Sequence, residues 1–468
     1  MKRLFRRKTI QAIQEFLEAS HETQLKRSLT AFDLTCLGIG GIIGVGIFVI
    51  TGVAAAKFAG PAVILSFVIS MFACIFTALC YAEFAALIPI SGSAYSYSYA
   101  TLGEFFAWII GWDLVLEYMV GSIAVAIGWS GYVVSVLKTV GLELPVWCSA
   151  APGAVPGAII NLPAALIVLA LTVLLTVGIK ESAKLTSVMV FVKIAAVLIF
   201  IAIGFSRVDP ANWHPFMPFG FGGVITGAAI VFFAYIGFDA VSTAAEEAKN
   251  PKRDLPIGII ASLVVCTILY IAVAAILTGV VSYTELNLPA PIAYALQKMG
   301  FHWGAALVSA GAVTGLTSVL IVLLMGQPRI FFAMSRDGLI WPWGSKIHPK
   351  YKTPYRTQIM TGIIVASFAA FIDIGTAAEL TNIGTLFAFV LVCGGVLVLR
   401  YTDPNLKRPF RVPFVPLIPV LGIVFCVYLM ISLPVLTWYR FLIWLGLGLL
   451  IYFGYGMKHS RLAQNNSK

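Results

Sequence analysis

The sequence predicts an all-α integral membrane protein of twelve transmembrane helices, arranged as a five-plus-five inverted repeat whose first and sixth helices are broken. Three observations carry this. Of 468 residues, 60% are hydrophobic and 11% charged, and the mean hydropathy of +0.96 lies outside the range of average soluble domains. Many apolar runs reach the roughly 20 residues a helix needs to cross a bilayer core, and they do not alternate as the strands of a membrane barrel would. Finally, glycine interruptions recur at matching places five spans apart.

The spans are expected at about 33–57, 61–89, 104–137, 160–178, 184–206, 224–247, 257–280, 303–328, 358–373, 378–400, 415–434 and 437–457. Residues 1–32 precede them as a cytoplasmic segment. Its opening, "MKRLFRRKTIQAIQEF", is too short in apolar residues for a cleavable leader and reads as a basic amphipathic stretch at the inner surface. Residues 33–206 form the first repeat, 224–400 the second and 415–457 the two remaining spans, followed by a cytoplasmic tail over 458–468. The longest connections, an outer one ending "GAVPGAIINLP" and an inner one beginning "QPRIFFAMSRDG", suit a small interfacial helix but no separate domain.

Charge fixes the orientation of these spans. With the N-terminus inside, one face receives 25 of the 31 lysines and arginines, while the other receives Lys57, Lys138, Arg207, Lys298 and Arg440. This is the positive-inside asymmetry, so the net charge of +11 reports membrane topology and not nucleic-acid binding. The seven cysteines show no CxxC spacing, and the five histidines fall in loops or at span ends. Neither a disulfide framework, a metal site, a cofactor nor a nucleophile–base pair within the membrane is expected, which argues against an enzyme.

The first span contains "GIGGIIGVGIF" (38–48), with five glycines in eleven positions. Glycine weakens a helix by up to about 1 kcal/mol relative to alanine, so the run is not there to strengthen one. A small-xxx-small packing face through Gly40 and Gly44 is one reading. The sixth span, however, carries "VFFAYIGFDAVSTAAEE" (231–247), where Gly237 and Asp239 interrupt a matching place. Five crossings apart, the two spans run in opposite directions, the signature of an inverted repeat with helices that unwind near the midplane. Unwinding frees N–H and C=O groups, which is tolerable only where they line a cavity and find partners. A zwitterion supplies both kinds: its carboxylate suits a half-helix N-terminus and its ammonium the carbonyls of a half-helix C-terminus. Ile42, Gly44, Val45 and Gly46, with Phe233, Ala234 and Ile236, are the expected cradle for an α-amino acid.

"GIGGIIGVGIF", "EEAKNPKRDLP" (246–256), "AMSRDGLIWP" (333–342) and "RPFRVP" (408–413) resemble the amino acid–polyamine–organocation (APC) permeases, nearest to bacterial homologues of the cationic amino acid transporters. The resemblance runs from about residue 27 to 457. It implies the fold of the leucine transporter LeuT and alternating access of one amino acid at a time. Val45 stands where relatives often carry Thr, Ser or Ala, so a hydroxyl contact is missing there while the N–H remains. The substrates implied are cationic or small neutral L-amino acids. The preferred expectation is proton symport in a bacterial plasma membrane; a sodium-coupled carrier, an exchanger and a non-transporting sensor are the alternatives. Partners are then the amino acid, the proton and membrane lipids, with a small membrane partner left open.

Each charge near the bilayer centre costs on the order of 2.5–3.5 kcal/mol on insertion scales, so such residues are candidates for function. Lys193, in "VFVKIAAVLIF", lies near the middle of span five. Some proton-coupled relatives place an ammonium there in lieu of a sodium ion, which implies that Lys193 couples a proton and holds the unwound part of span one; a structural lysine paired to carbonyls or a carboxylate is the alternative. Asp113 and Glu117, at i and i+4, share a face of span three and would offer a negative pocket to a cationic side chain, or partner buried donors. Asp239 would orient the unwound segment or share a proton with Glu117. Glu83, with Glu246 and Glu247, is expected in ion pairs of a cytoplasmic gate. "SGSAYSYSYATLGE" (91–104) reads as a gating loop or an interfacial aromatic anchor.

Overall fold

A computed structural model describes residues 6, 29–88, 93–139, 141–177, 183–351 and 353–462. Most of the basic N-terminal stretch, the start of the Tyr/Ser-rich loop, the end of the tail and the side chain of Glu246 lie outside the described residues. Those described are almost wholly helical, and the pairings outside helices are two isolated bridges, Leu29 with Ala248 and Ser149 with Asn161. Among the described residues, eight stretches are long and apolar enough to cross a membrane: Gly46–Leu87, Glu104–Thr139, Val188–Phe205, Gly220–Ser242, Pro251–Val280, His302–Arg336, Ile374–Thr402 and Val435–His459.

The helices used below are α1 (Ala31–Ile42), α2 (Val63–Leu87), α3 (Ser93–Thr101), α4 (Glu104–Thr139), α5 (Leu162–Val177), α6 (Ala183–Phe205), α7 (Gly220–Val231), α8 (Pro251–Val280), α9 (His302–Arg336), α10 (Tyr355–Phe371), α11 (Ile374–Thr402), α12 (Leu417–Ile431) and α13 (Val435–Ile451). Local chemistry sets several of their ends. Thr30 and Asp33 form a reciprocal capping box at the start of α1, with Thr30 N–H donating to Asp33 Oδ2 at 2.9 Å. Gly60, at φ +62°, and Pro61 turn the chain between 46–59 and α2. Asp373 caps α11 by accepting from Thr376 N–H at 3.1 Å.

α4 is the central rod, packed along α9 and α11, while α8 lies across α1 and α2, and α5 pairs with α10. Indole and carbonyl groups fix α13 to α4: Trp112 and Trp444 stack with centroids 4.4 Å apart, and each donates its Nε1–H to the other's carbonyl. α9 runs on to Arg336, past the end expected at 328, although Pro328 lies inside it. A proline cannot donate to the carbonyl four residues back. Here the Gln358 amide of α10 donates to that carbonyl, Leu324 O, at 3.1 Å and keeps the helix continuous.

The segment 333–342 and α3 meet at one face of the bundle, together with both described chain ends. Tyr95 of α3 donates to Asp337 at 2.7 Å, Arg461 N–H donates to Asp337 O at 3.1 Å, and Glu104 N–H donates to Arg6 O at 2.8 Å. Buried Glu104 also accepts the hydroxyls of Tyr99 at 3.1 Å and Tyr452 at 3.3 Å. We refer to this as the basic face.

Candidate functional site

Two helices come apart inside the bundle. α1 ends at Ile42, and Ile43 takes an extended conformation (φ −70°, ψ 102°) before the chain re-enters helix at 46–50. α7 passes into a single 3₁₀ turn, Phe232–Tyr235. Ile236 is then extended (φ −60°, ψ 135°), Gly237 has φ +116°, and helix resumes at Ala240.

The two breaks press against each other, which explains part of the glycine run. A methyl on Gly41 would lie 3.1 Å from Gly237 O, one on Gly237 would lie 2.7 Å from Gly41 O, and one on Gly46 would overlap Ala234. Gly40 and Gly44 do not form a single packing face. The first abuts Val190 of α6 and the second faces Val319 of α9 at ordinary contact distance.

The freed carbonyls are engaged by side chains from neighbouring helices. Lys193 of α6, fully buried, donates from Nζ to Gly40 O at 2.6 Å and to Ile43 O at 3.1 Å. Its stem lies in the space left by Gly315 of α9. The Tyr270 hydroxyl of α8 sits 2.8 Å from both Ile42 O and Ala234 O, joining the two breaks through one atom. Asn382 of α11 donates its amide to Ala229 O at 2.7 Å and to Ile230 O at 3.0 Å, steadying the end of α7. The N–H groups of Gly44, Val45 and Gly46 open the second half of the first broken helix, where a helix has no internal acceptors to offer them.

Between the breaks lies a pocket with ≈ 580 Å³ of space not filled by atoms, part of it open to solvent. Backbone from 41–46 and 236–240 forms one side. The other is apolar, with Val125 of α4 and Val319, Val322 and Leu323 of α9. Of the residues expected from sequence, Ile42, Gly44, Val45, Gly46, Phe233, Ile236, Glu117 and Asp239 line this cavity. Ala234 stands just behind, against Gly46. Val45 turns its side chain onto α4, where Gly128 leaves room for it. Asp239 stands at the start of the resumed helix, where its carbonyl accepts Ser242 N–H at 2.9 Å and the Ser242 hydroxyl at 2.6 Å.

Three expected residues stand apart from the cavity. Lys193 reaches the break from behind α1. Asp113, one turn before Glu117, is buried against Gly384 of α11. Glu83 pairs with Arg400 at 2.6 Å and Arg408 at 3.2 Å and accepts Val412 N–H at 2.8 Å, so its partners belong to the "RPFRVP" segment and the end of α11. Glu247 accepts Leu29 N–H at its carbonyl at 3.0 Å and donates its own N–H to Ala244 O at 3.1 Å. α3 carries the Tyr/Ser-rich segment inward: Tyr97 stacks on Phe84 and meets Tyr81, whose ring also touches Phe238 and Phe389, directly beyond the second break.

Tyr270 and Asn382 are functional-site residues that pattern reasoning passed over. The available signals were a polar-tipped ring inside "TILYIAVAAIL" and an amide inside "LTNIGTLFAF", each in a segment otherwise committed to the bilayer.

The chain was compared with known proteins. A family model described as amino acid permease matches residues 29–453. The branched-chain amino acid permease BcaP of Bacillus subtilis (strain 168) is 53% identical, covering 98% of this chain and 99% of its own length. The methylthioribose transporter of the same organism is 51% identical over 99% of this chain and its full length. Cationic amino acid transporter 4 of Homo sapiens is 30% identical over 95% of this chain and 89% of its own. These relatives are permeases and transporters, not enzymes. The paired helix breaks, the cavity between them and an unbroken match over nearly the whole length lead to one conclusion: the chain belongs to the amino acid permease family.

Proposed function

We propose that this protein is a secondary transporter that imports L-amino acids across a bacterial plasma membrane by proton symport, with twelve spans, both termini cytoplasmic and alternating access through a LeuT-like five-plus-five repeat. One observation carries the reading: two antiparallel helices unwind against each other and present bare backbone to a single cavity. The N–H groups at 44–46 receive the substrate carboxylate, and carbonyls of the second break receive its ammonium, so every α-amino acid shares the same anchor. Lys193 is the proton-coupling group. Protonated, it holds Gly40 and Ile43; deprotonated, it can donate fewer hydrogen bonds and releases the half-helix before it.

The side-chain end of the cavity favours aliphatic substrates. Val125, Val319, Val322 and Leu323 offer apolar walls. The branched-chain permease among the relatives supports this reading. Glu117 favours the second reading, a cationic side chain, as the cationic transporters among the relatives suggest.

The test is a thermal-shift panel of all twenty amino acids and methylthioribose on purified protein, followed by uptake of the best binder into proteoliposomes. Stabilisation by aliphatic amino acids and accumulation driven by an inward proton gradient are expected. Binding of methylthioribose with no amino acid bound would overturn the substrate assignment. Accumulation driven only by sodium, or only by internal substrate, would replace symport with sodium coupling or exchange.

A further inference from the structure

The cavity accounts for Glu117 and Asp239 but leaves a third carboxyl in the same region without a role. Asp113 is 2% exposed, and neither of its carboxylate oxygens has a hydrogen-bond partner. It lies on α4 one turn before Glu117, about 6 Å away along the axis and on the same side of the helix. A bare carboxylate at such a depth costs several kcal/mol unless it is paired or protonated. Among the described residues, no hydrogen bond or ion pair joins it to a cation. α9 presents Gln327 and Arg329, the latter acting on Tyr118, and the charged residues of α11, Glu379 and Arg400, bond to Thr437 and Glu83. α13 meets this stretch of α4 through Trp444. The charged neighbour that acts on Asp113 is Glu117 itself.

The space around Asp113 is shaped for the carboxyl. Gly384 of α11 faces it so closely that a methyl there would come within 2.8 Å of Oδ1. The next residue, Thr385, sets its hydroxyl beside Glu117. One strip of α11 therefore spans both carboxyls. Glu117 opens on the cavity, whereas Asp113 is the member nearer Glu104 and the basic face.

We infer that Asp113 is a proton-holding site in series with Glu117, a relay between the substrate cavity and the basic face and not a part of the amino acid pocket. The step is a plain transfer: the proton on Glu117 passes to the Asp113 carboxylate, leaving Glu117 ionised, and Asp113 gives the proton up to water only when an inward-opening state uncovers its niche toward Glu104. This rests on the proton-symport reading above and assigns a route within it.

The experiment uses full-length protein in proteoliposomes, with the amino acid identified by the binding panel. Asp113→Asn keeps the size of the side chain but cannot carry the proton. It is expected to bind substrate with unchanged affinity and to exchange labelled for unlabelled substrate as wild type does. Gradient-driven net uptake and the accompanying proton movement should fall by about tenfold or more, the scale on which a missing proton-transfer group acts. Asp113→Glu retains a titratable group and should recover most of the driven uptake; it also serves as the test variant if the asparagine protein does not fold, with a displaced pH profile as its readout. Driven uptake by Asp113→Asn, or an unshifted profile in Asp113→Glu, would overturn the relay while leaving symport intact. Loss of substrate binding in Asp113→Asn would place the residue in the pocket and equally overturn it. Wild-type uptake indifferent to the proton gradient would sink the symport reading and the relay together.

Discussion

Replacing Lys193 by methionine separates its mechanical role from its chemical one. Methionine has similar length and keeps the stem packed in the space left by Gly315, while the ammonium that bonds Gly40 O at 2.6 Å and Ile43 O at 3.1 Å is gone. Hydrogen bonds to a charged donor contribute about 1.5–3 kcal/mol each, so the two together amount to about 3–6 kcal/mol. Against this stands the cost of burying an ammonium, itself several kcal/mol. The two effects nearly cancel, and Lys193→Met is expected to unfold within a few degrees of wild type. Its break in the first helix then has no latch that responds to a proton. Gradient-driven accumulation in proteoliposomes should fall by about tenfold to a hundredfold, and the pH dependence of uptake should flatten. A variant that concentrates substrate under an imposed proton gradient as wild type does would refute the assignment. A variant that cannot be purified folded would instead show that the bonds outweigh the buried charge by far more than this comparison allows.

Other parts of the site give further expectations. Tyr270→Phe removes the hydroxyl shared by Ile42 O and Ala234 O; it should weaken substrate binding by about five- to thirtyfold, the equivalent of about 1–2 kcal/mol for one buried carbonyl left unpaired, as read by titration calorimetry. Gly46→Ala would drive a methyl into Ala234 and should abolish binding, whereas Gly44→Ala meets Val319 at 3.4 Å and should fold with its affinity reduced by severalfold at most; equal behaviour of the two in a thermal-shift assay would contradict the close approach of the breaks. Glu83→Gln leaves Arg400 and Arg408, with side chains only 12% and 5% exposed, facing each other without a carboxylate. It should lose about 3–5 kcal/mol of stability, partly restored by adding Arg400→Gln, and an unchanged unfolding temperature would argue against the pair.

The sequence made the breaks legible because bilayer and backbone physics leave few explanations for five glycines in eleven apolar positions matched five spans later. Most residues of the expected cradle also line the cavity, since a cavity formed by unwound backbone has to be lined by the residues that unwind. Partner assignments were harder to read. Glu83 is expected in ion pairs and forms them, but no sequence signal named its partners, arginines more than 300 positions along the chain, at the end of α11 and in the "RPFRVP" segment. Helix periodicity shows which face of a rod is polar but not which rod will face it. Asp113 and Glu117 illustrate the same limit. Their i, i+4 spacing put them on one side of α4, but α4 is so enclosed by α9 and α11 that one turn of axial rise separates a cavity wall from a closed niche beside Gly384. Tyr270 was obscured for a related reason: a single hydroxyl in an apolar helix gains meaning only when two carbonyls from other segments arrive at 2.8 Å.

That arrangement bears on how one site of the proposed kind would serve both branched-chain and cationic amino acids, which the names of two relatives specify. Lys193, Tyr270 and Asn382 act on carbonyls and not on the cavity's apolar wall, so the geometry of the two breaks is held from outside the cavity. Val125, Val319, Val322 and Leu323 belong to α4 and α9, which contribute nothing to the unwound backbone. Exchanging these side chains alters the volume and polarity offered to the variable end of a substrate while leaving the N–H groups at 44–46 in place. A cavity assembled this way can change its preference without rebuilding its anchor. Leu323→Ser is the direct case: it should admit polar side chains in the competition panel, and loss of all binding instead would mean that the wall and the anchor are not separable.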